Sequence, residues 1–561
     1  MKRHKLIGKS RIMRIAAIAI TLASLLGAGS YTPLAATSWK VASVELPGVT
    51  GMNNNVAFAY DRYVLIAPYA PSKPVEDNDD VSQLDNCFLY LIDTKKPSEG
   101  AQKVKLTAND VADSQGKIVY YPSRVLFDAD TSTVFVRGTR FEVKDGILEE
   151  IEVLAYLRLN LDDNGKPVFA SNVVTIDIKG VGSDHCSDAP MDFALSQEGR
   201  LLLFTNGASI FSYNIGQGYV YKVDIVPEPN FNADSRISYL DVDKATNTLV
   251  VCWNKKEHGE GDDVKIASQL SFYGIDKDGT LPFITRIYEA NLAGTALTAG
   301  STVAITSTKD HSDQIVRDNA YFVTNDGSLW QVDIQELSKT VNIKQLRTFA
   351  ELAQSGSGEG SPRILKFDAA KRVIGIVNQG FTAQIRRPSN GRPGSRASIV
   401  RALGTSKAVE QPAFALVKFG KKNKIVSGEV FVDDFSNEVG LSNFVYRNDS
   451  QWLVSTHSGK LFSVGLSEGA GEDGIQLLGE LGSRIDYIDY FGDRGSVVAI
   501  SSFEADEDGS RITSPGSLVV ARMGDSIGPA FGAMIMQALK SSGSVVASVA
   551  PSIRRPCNIK R

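Results

Sequence analysis

Short apolar runs separated by turn residues follow one another from Pro47 to Met523. The runs are rich in β-branched and aromatic side chains, which is typical of strands rather than helices. The clearest example is Asp318–Ile334, in which an apolar run, Ala320–Thr324, precedes the break Asn325-Asp326-Gly327. Leu329, Val332 and Ile334 follow as the apolar positions of a second run. Because Asn and Gly tolerate positive φ, this break predicts a hairpin between two strands.

The same pattern recurs at Leu202–Ile215 and Leu453–Leu466, and repetition at long spacing predicts a repeat architecture. The strand-like runs group into quartets. Seven quartets can be counted: about 55–106, Arg124–Ile178, Met191–Val226, Ile237–Glu289, Ser301–Phe349, Ile364–Val432 and Asn443–Leu481. An eighth group, Ile485–Met523, has only three runs.

The segment Trp39–Leu46 is strand-like and belongs to no quartet of its own. Ring-shaped propellers remove exposed strand edges by closing on themselves, so this segment is expected to complete the eighth group. We therefore predict an all-β chain that forms a single β-propeller of eight blades, with the N-terminal strand closing the last blade. Seven blades, and a sandwich or several small β-domains, are the alternatives.

A family resemblance points the same way. Tyr321-Phe322-Val323-Thr324-Asn325, followed by Gly327-Ser328 and Val332-Asp333-Ile334, resembles the YVTN-type propeller repeat of exported prokaryotic proteins. The resemblance covers one repeat well and two others loosely. It implies a propeller fold and a binding role at the cell surface or in the periplasm, and it assigns no catalytic residue.

The N-terminus has the layout of an export signal. Basic residues between Lys2 and Arg14 precede the apolar run Ile15–Ala28, which is short for a membrane span. Leu34-Ala35-Ala36 fits a signal-peptidase site, so we predict a signal peptide over 1–36 and a periplasmic or secreted bacterial protein. An uncleaved anchor is the alternative. The mature chain has no further run long enough to span a bilayer. We expect the propeller over 37–525 and an apolar segment with a basic tail over 526–561.

Composition and motifs narrow the range of possible functional classes. The chain is 43% hydrophobic and 22% charged, which is typical of a globular protein, and its net charge of −4 disfavours general nucleic-acid binding. None of the four cysteines (Cys87, Cys186, Cys252, Cys557) forms a CxxC pair, and no GxSxG, HExxH or P-loop occurs. A binding protein is therefore favoured. The alternative is a hydrolase or lactonase-like propeller enzyme with a metal or carboxylates at the central channel.

The insertions lie at one end of the predicted ring, because second-to-third strand connections and blade-to-blade connections emerge together there. We call this end the looped face. Its long connections are Tyr69–Asn86, Arg140–Glu150, Asn254–Ser268, Gln379–Pro412 and Ser502–Pro515, in blades one, two, four, six and eight, whereas blades three, five and seven have tight turns. Long connections in a compact domain are usually functional or disordered.

Charge is segregated on the looped face. The blade-six insert is basic, whereas those of blades one, four and eight are rich in Asp and Glu. The candidate binding residues of the basic insert are Arg386, Arg387, Arg392, Arg396 and Arg401. We predict that this surface binds a protein or glycan partner and steers it electrostatically. Solvated loops without a partner are the alternative.

A metal site is a further hypothesis. Asp184, His185 and Cys186 lie together before blade three, and His258 and His457 belong to the same predicted face. Such residues are transition-metal ligands, although no helix or hairpin spacing supports the set. Three Asp/Asn/Gly segments, Asp162–Gly165, Asp276–Gly279 and Asp506–Gly509, resemble calcium loops but lack the later Glu, so we predict β-turns.

Overall fold

The structure is a computed structural model. It describes residues 39–47, 49, 55–68, 88–106, 119–144, 147–169, 173–176, 192–196, 201–205, 209–223, 236–258, 264–276, 278–288, 291–292, 295–297, 301–309, 315–335, 341–353, 361, 363–369, 371–382, 407–408, 410–420, 423–438, 440–447, 451–466, 474–481, 485–491, 496–502, 504–505 and 512–523. Ala42–Val520 forms one compact unit, and Met1–Val41 with Ala521–Arg561 forms the other. Within the second unit, the described residues are strand residues 39–41 and 521–523.

Eight antiparallel sheets follow one another along the chain, and each sheet is one blade. Blade one contains β2 (Val56–Ala59), β3 (Tyr63–Ile66), β4 (Phe88–Asp93) and β5 (Ala101–Lys105). Blade two contains β6 (Val119–Asp128), β7 (Thr133–Lys144), β8 (Ile147–Leu161), β9 (Pro167–Phe169) and β10 (Val174–Ile176). Blade three contains β11 (Asp192–Leu195), β12 (Leu201–Thr205), β13 (Ile210–Asn214) and β14 (Tyr219–Val223). Blade four contains β15 (Arg236–Asp243), β16 (Thr248–His258), β17 (Val264–Gly274) and β18 (Phe283–Ile287).

The second half of the ring continues in the same way. Blade five contains β19 (Ala304–Lys309), β20 (Ile315–Val323), β21 (Ser328–Asp333) and β22 (Ile343–Thr348). Blade six contains β23 (Arg363–Asp368), β24 (Val373–Asn378), β27 (Ala413–Phe419) and β28 (Ile425–Phe431), with β25 (Phe381–Thr382) and β26 (Lys407–Ala408) inserted. Blade seven contains β29 (Leu441–Tyr446), β30 (Trp452–Thr456), β31 (Lys460–Val464) and β32 (Ile475–Glu480). Helical structure in the described ranges is limited to single 3-10 turns such as Ala350–Leu352.

Blade eight is closed by the N-terminal strand. It contains β33 (Ile485–Phe491), β34 (Ser496–Ser501) and β37 (Gly516–Met523), and β1 (Trp39–Leu46) pairs with β37 as the outermost strand. Val44 and Leu46 of β1 are buried, whereas Ser43 and Glu45 are exposed, as the two-residue period of a strand requires. The structure thus confirms the eight-bladed propeller and its closure by the N-terminal segment.

Apolar clusters between successive blades hold the ring together. One cluster joins Leu46 and Leu518 of blade eight to Val64 of blade one, and further clusters continue between each successive pair as far as blades six and seven. The middle strands are packed on both faces, so β24 and β34 are buried at every position. Outer strands such as β22 are largely solvent-exposed. First strands of neighbouring blades contact each other, for example β29 and β33, and surround the centre of the ring.

The predicted hairpin of blade five is confirmed. β20 and β21 pair from Asn319↔Asp333 to Val323↔Leu329, and Gly327 occupies the turn with φ of +79°. A Cβ atom on Gly327 would lie 2.1 Å from the backbone oxygen of Phe349, so this position requires glycine both for its backbone conformation and for space.

The inserts of blades two and four differ from the prediction. Arg140–Glu150 was expected to be a loop, but β7 and β8 remain paired to Lys144↔Ile147. In blade four, β16 and β17 remain paired to His258↔Val264. Apolar and polar residues alternate over Phe141–Lys144 in blade two and over Val264–Ile266 in blade four, and Asp145-Gly146 between β7 and β8 is a strong hairpin signal. Both inserts are therefore extended two-stranded ribbons. Blades six and eight also start ribbons, through β25–β26 and β35 (Glu504–Ala505) with β36 (Ile512–Ser514).

Candidate functional site

The looped face carries ribbons on alternate blades. Blades two, four, six and eight each extend a two-stranded ribbon between the second and third main strands, whereas the described strands of blades five and seven are joined by tight turns. In blade three, β12 and β13 pair to Thr205↔Ile210 with only four residues between them. Four ribbons thus leave one end of the ring, separated by the short connections of blades three, five and seven, and the blade-one connection lies outside the described residues.

The predicted basic residues lie in the blade-six insert, between β25 and β26 in the sequence. Arg386, Arg387, Arg392, Arg396 and Arg401 lie outside the described residues. The ribbon that carries them begins with Phe381↔Ala408 and Thr382↔Lys407. This base fixes where the insert leaves the ring.

A buried ion pair anchors the base of the blade-six ribbon. Arg363, at the start of the innermost strand, lies 2.9 Å from a carboxylate oxygen of Glu410, and both side chains are almost fully buried. Arg363 also donates two hydrogen bonds to the backbone oxygen of Leu352, at 3.0 and 2.8 Å. Glu410 in turn donates its backbone N–H to Gly380 at 3.1 Å. The two stems of the insert, Gly380 and Glu410, are therefore tied to the ring core.

The tight turn of blade seven carries an ion pair in which the carboxylate is buried and the lysine is partly exposed. Lys460 donates a hydrogen bond of 2.5 Å to Glu438, which also accepts one from Ser458. Burial by itself raises the pKa of Glu438, but the hydrogen bonds from Lys460 and Ser458 outweigh it and hold the pKa below its usual value. Asp326 in the turn of blade five behaves likewise, because hydrogen bonds from Thr324 and Ser328 outweigh the effect of burial and lower its pKa.

The structure describes only part of the proposed metal site. Asp184, His185 and Cys186 lie outside the described residues. His258 is the last residue of β16, on the blade-four ribbon. His457 is in the turn of blade seven, with Nδ1 3.3 Å from a carboxylate oxygen of Asp486. Within the described ranges, no three His, Cys, Asp or Glu residues are grouped as metal ligands.

Two of the three segments that resemble calcium loops, Asp162–Gly165 and Asp276–Gly279, are turns, as predicted, and Asp506–Gly509 lies outside the described residues. Gly165 donates its backbone N–H to the Asp162 oxygen at 2.8 Å, and Gly279 donates to Asp276 at 2.9 Å. Asp162 accepts the backbone N–H groups of Lys166 and Asn164, which lowers its pKa. These carboxylates are therefore already engaged in local turn hydrogen bonds.

A polar cluster on the innermost strands was not predicted. Lys366 of β23 reaches across to β29, where Nζ donates to Asn443 Oδ1 at 3.1 Å and to the Phe444 backbone oxygen at 2.5 Å. Asp489 of β33, the next inner strand, interacts with Lys366 through its charge. Tyr487 on β33 donates a hydrogen bond to Asp489 at 3.3 Å. We call Lys366, Asn443, Tyr487 and Asp489 the inner-strand cluster.

Burial changes the protonation chemistry of the inner-strand cluster. Desolvation lowers the pKa of Lys366 to about 8, although the charge of Asp489 acts in the opposite direction. Burial likewise raises the pKa of Asp489, and burial together with the Asp489 charge raises that of Tyr487. Lys366 and Asp489 nevertheless keep partial solvent accessibility. The cluster thus combines an amine and a carboxyl group whose pKa values are shifted towards each other.

The sequence contained a signal for this cluster. Lys366 interrupts the apolar run Ile364–Phe367, and Asp489 interrupts Ile485–Phe491. A charged residue inside a strand of the ring centre must be accommodated by polar partners. The inner-strand cluster contains one amine, one amide, one phenol and one carboxyl group.

Comparisons with known proteins return structural neighbours and no sequence family. No family model matches the chain, and no curated protein sequence matches it. Sqt1 of Saccharomyces cerevisiae is similar at a TM-score of 0.40 and 9% identity, covering 88% of this chain and 100% of that one. Sqt1 from Chaetomium thermophilum gives 0.42 and 11%, covering 86% and 100%. The Cps50 (Swd1) β-propeller domain of Myceliophteria thermophila gives 0.35 and 11%, covering 71% and 95%.

The strand pairing described above defines the fold as an eight-bladed β-propeller. Across the described ranges, no helix is both long and apolar enough to cross a bilayer.

Proposed function

We propose that this protein is an exported β-propeller that binds a protein or glycan partner through its looped face. The observation that carries the proposal is the concentration of ribbons on one end of the ring, in blades two, four, six and eight. Binding residues are commonly held on connections that a rigid scaffold positions. The closed ring supplies that scaffold, because apolar clusters join its successive blades.

The positive charge of the blade-six insert favours an acidic partner that binds to this insert. Between Arg386 and Lys407 the sequence contains six basic residues and no Asp or Glu. Complementary charge chiefly increases the rate of association, and salt screens it. The buried pair of Arg363 with Glu410 fixes the direction in which this basic ribbon leaves blade six.

Export is the second part of the proposal. It is supported by the basic, then apolar, then Ala-Ala layout of residues 1–36 and by the resemblance of Tyr321–Asn325 to YVTN-type repeats. N-terminal sequencing of protein from the native host should begin near Thr37. A chain that starts at Met1 and is recovered from the cytoplasm would contradict export.

The binding test removes the basic residues of the insert. Arg386, Arg387, Arg392 and Arg396 are changed to Ser, and a matched variant changes four exposed cations elsewhere, Lys95, Lys105, Lys244 and Lys344, to Ser. Both variants lose four positive charges, so they are matched in net charge and differ in where the charge is lost and in whether arginine or lysine is removed. Binding to heparin and to an acidic peptide is measured by biosensor at 0.1 M and 1 M salt.

We expect the arginine variant to associate more slowly at low salt and the lysine variant to resemble wild type. The difference should vanish at high salt, since the Debye length falls from about 10 Å to about 3 Å. Heparin and peptide separate a glycan from a protein partner. Equal binding by all three proteins at both salt concentrations would contradict the role of the basic ribbon.

A further inference from the structure

The hydrogen bonds of Lys366 suit a neutral amine. Nζ donates to two acceptors, Asn443 Oδ1 and the Phe444 backbone oxygen. A neutral amine has two N–H groups and one lone pair, whereas an ammonium has three N–H groups. Across the described residues, those two acceptors are the only hydrogen-bond partners of Nζ. In the neutral form both N–H groups are satisfied, and the lone pair remains available for reaction.

The surroundings also favour the neutral form. Desolvation lowers the pKa of Lys366 to about 8, although the Phe444 ring lies 5.0 Å from Nζ and favours the cation. The negative charge of Asp489 acts in the opposite direction to desolvation and raises the pKa of Lys366. At pH 7.4 about a fifth of such amines are neutral, against about 0.1% for a lysine of ordinary pKa. The concentration of the nucleophilic form is thus raised about 200-fold.

We propose that Lys366 is a covalent binding site for a small carbonyl compound, an aldehyde or ketone, held as a reversible imine in the centre of the ring. The site stands on geometry: an amine fixed by two acceptors on β29, a carboxyl group on the adjoining strand β33, and partial access from solvent. This proposal does not depend on the looped face, so either can fail without the other.

The reaction balances without an oxidant or a metal. The lone pair of Nζ attacks the carbonyl carbon and forms the C–N bond, and a proton moves from nitrogen to the former carbonyl oxygen to give a carbinolamine. The C–O bond then breaks as a C=N bond forms, and water leaves. Asp489 accepts the remaining N–H proton of the carbinolamine and delivers it to the departing hydroxyl group, so the carboxyl group ends in its starting state. Asn443 keeps the amine directed during attack.

The experiment traps the imine. Full-length protein is treated with propanal and sodium cyanoborohydride, and the alkylated lysines are followed by peptide mass spectrometry over pH 6 to 10. Lys371 is the internal control, because it is exposed and lies in the same hairpin of blade six. We expect Lys366 to be alkylated at least tenfold faster than Lys371 at pH 7.4, with a midpoint near pH 8. Equal rates at the two lysines would overturn the proposal.

Two variants separate the roles within the inner-strand cluster. Lys366→Arg keeps the positive charge but cannot form an imine, so the fast labelling should disappear while the melting temperature stays close to wild type. Asp489→Asn removes the acid and a favourable charge, so the midpoint at Lys366 should move to lower pH while the plateau rate falls several-fold. Fast labelling that persists in Lys366→Arg places the reactive amine elsewhere and refutes the site. An unchanged plateau in Asp489→Asn would refute the role of Asp489 as the acid.

Discussion

Leu46 provides the sharpest test of ring closure. Its side chain is completely buried at the end of β1, in a cluster with Val498 and Leu518 of blade eight and Val64 of blade one. Leu46→Ala removes this contact without removing any backbone hydrogen bond. Truncation of a buried leucine costs about 3 kcal/mol when the cavity cannot collapse. Glu45→Ala is the matched control, because Glu45 is the neighbouring exposed residue of the same strand.

The expected shift in melting temperature follows from the size of the unit. The compact unit Ala42–Val520 has about 480 residues, so its entropy of unfolding is about 1 kcal/mol per kelvin. A loss of about 3 kcal/mol should therefore lower the melting temperature by about 3 °C, and Glu45→Ala should change it by less than 1 °C. Scanning calorimetry measures both. Deleting Thr37–Pro47 should cost more, because it also exposes the edge of β37.

Two outcomes would contradict the role of β1 in closing the ring. If Leu46→Ala melts together with Glu45→Ala, the end of β1 does not contribute to the core between blades eight and one. If the deletion also melts at the wild-type temperature, β1 is a dispensable tail rather than the strand that closes the ring.

Two further predictions concern the blade turns and the base of the blade-six ribbon. Gly327→Ala should destabilise by about 3 kcal/mol or more, since positive φ and a clash combine, whereas Gly165→Ala, with φ of +70° and no atom near the added Cβ, should cost about 1 kcal/mol. Equal urea midpoints for the two would refute the steric argument. Glu410→Ala should cost about 3 to 5 kcal/mol because it strands the buried Arg363 charge, whereas changing Arg363 and Glu410 together to Met should restore most of the loss. A double variant as unstable as the single one would contradict this.

The fold was largely predictable from the sequence. Turn residues and apolar runs located the quartets, and the unpaired segment Trp39–Leu46 predicted the closing strand because a ring cannot leave one blade with three strands and an open edge. The ribbons of blades two and four were misread because charged side chains suggested loops. A solvent-exposed ribbon needs alternation and a turn rather than apolar residues, and Asp145-Gly146 supplied the turn.

The inner-strand cluster could not be assembled from the sequence. Lys366 and its partner Asn443 are 77 residues apart, and Asp489 belongs to a third blade. Strand alternation shows which side of a sheet a residue faces, but contacts between blades also depend on the register of each first strand. In blade seven, a register shift between Leu441 and Asn443 alters that register. The partners of a buried lysine become known only when neighbouring blades are placed side by side.

The pairing of β1 with β37 also dictates when folding can finish. Among the described strands the first, β1, pairs with the last, β37, so all eight blades must be synthesised before the ring can close. Contacts of such long sequence separation form slowly because the chain entropy of the intervening loop is lost first. Until then, Val44 and Leu46 on one side and Leu518 and Val520 on the other remain uncovered. A growing chain therefore has two complementary apolar edges that must be kept from other chains until its own two ends meet.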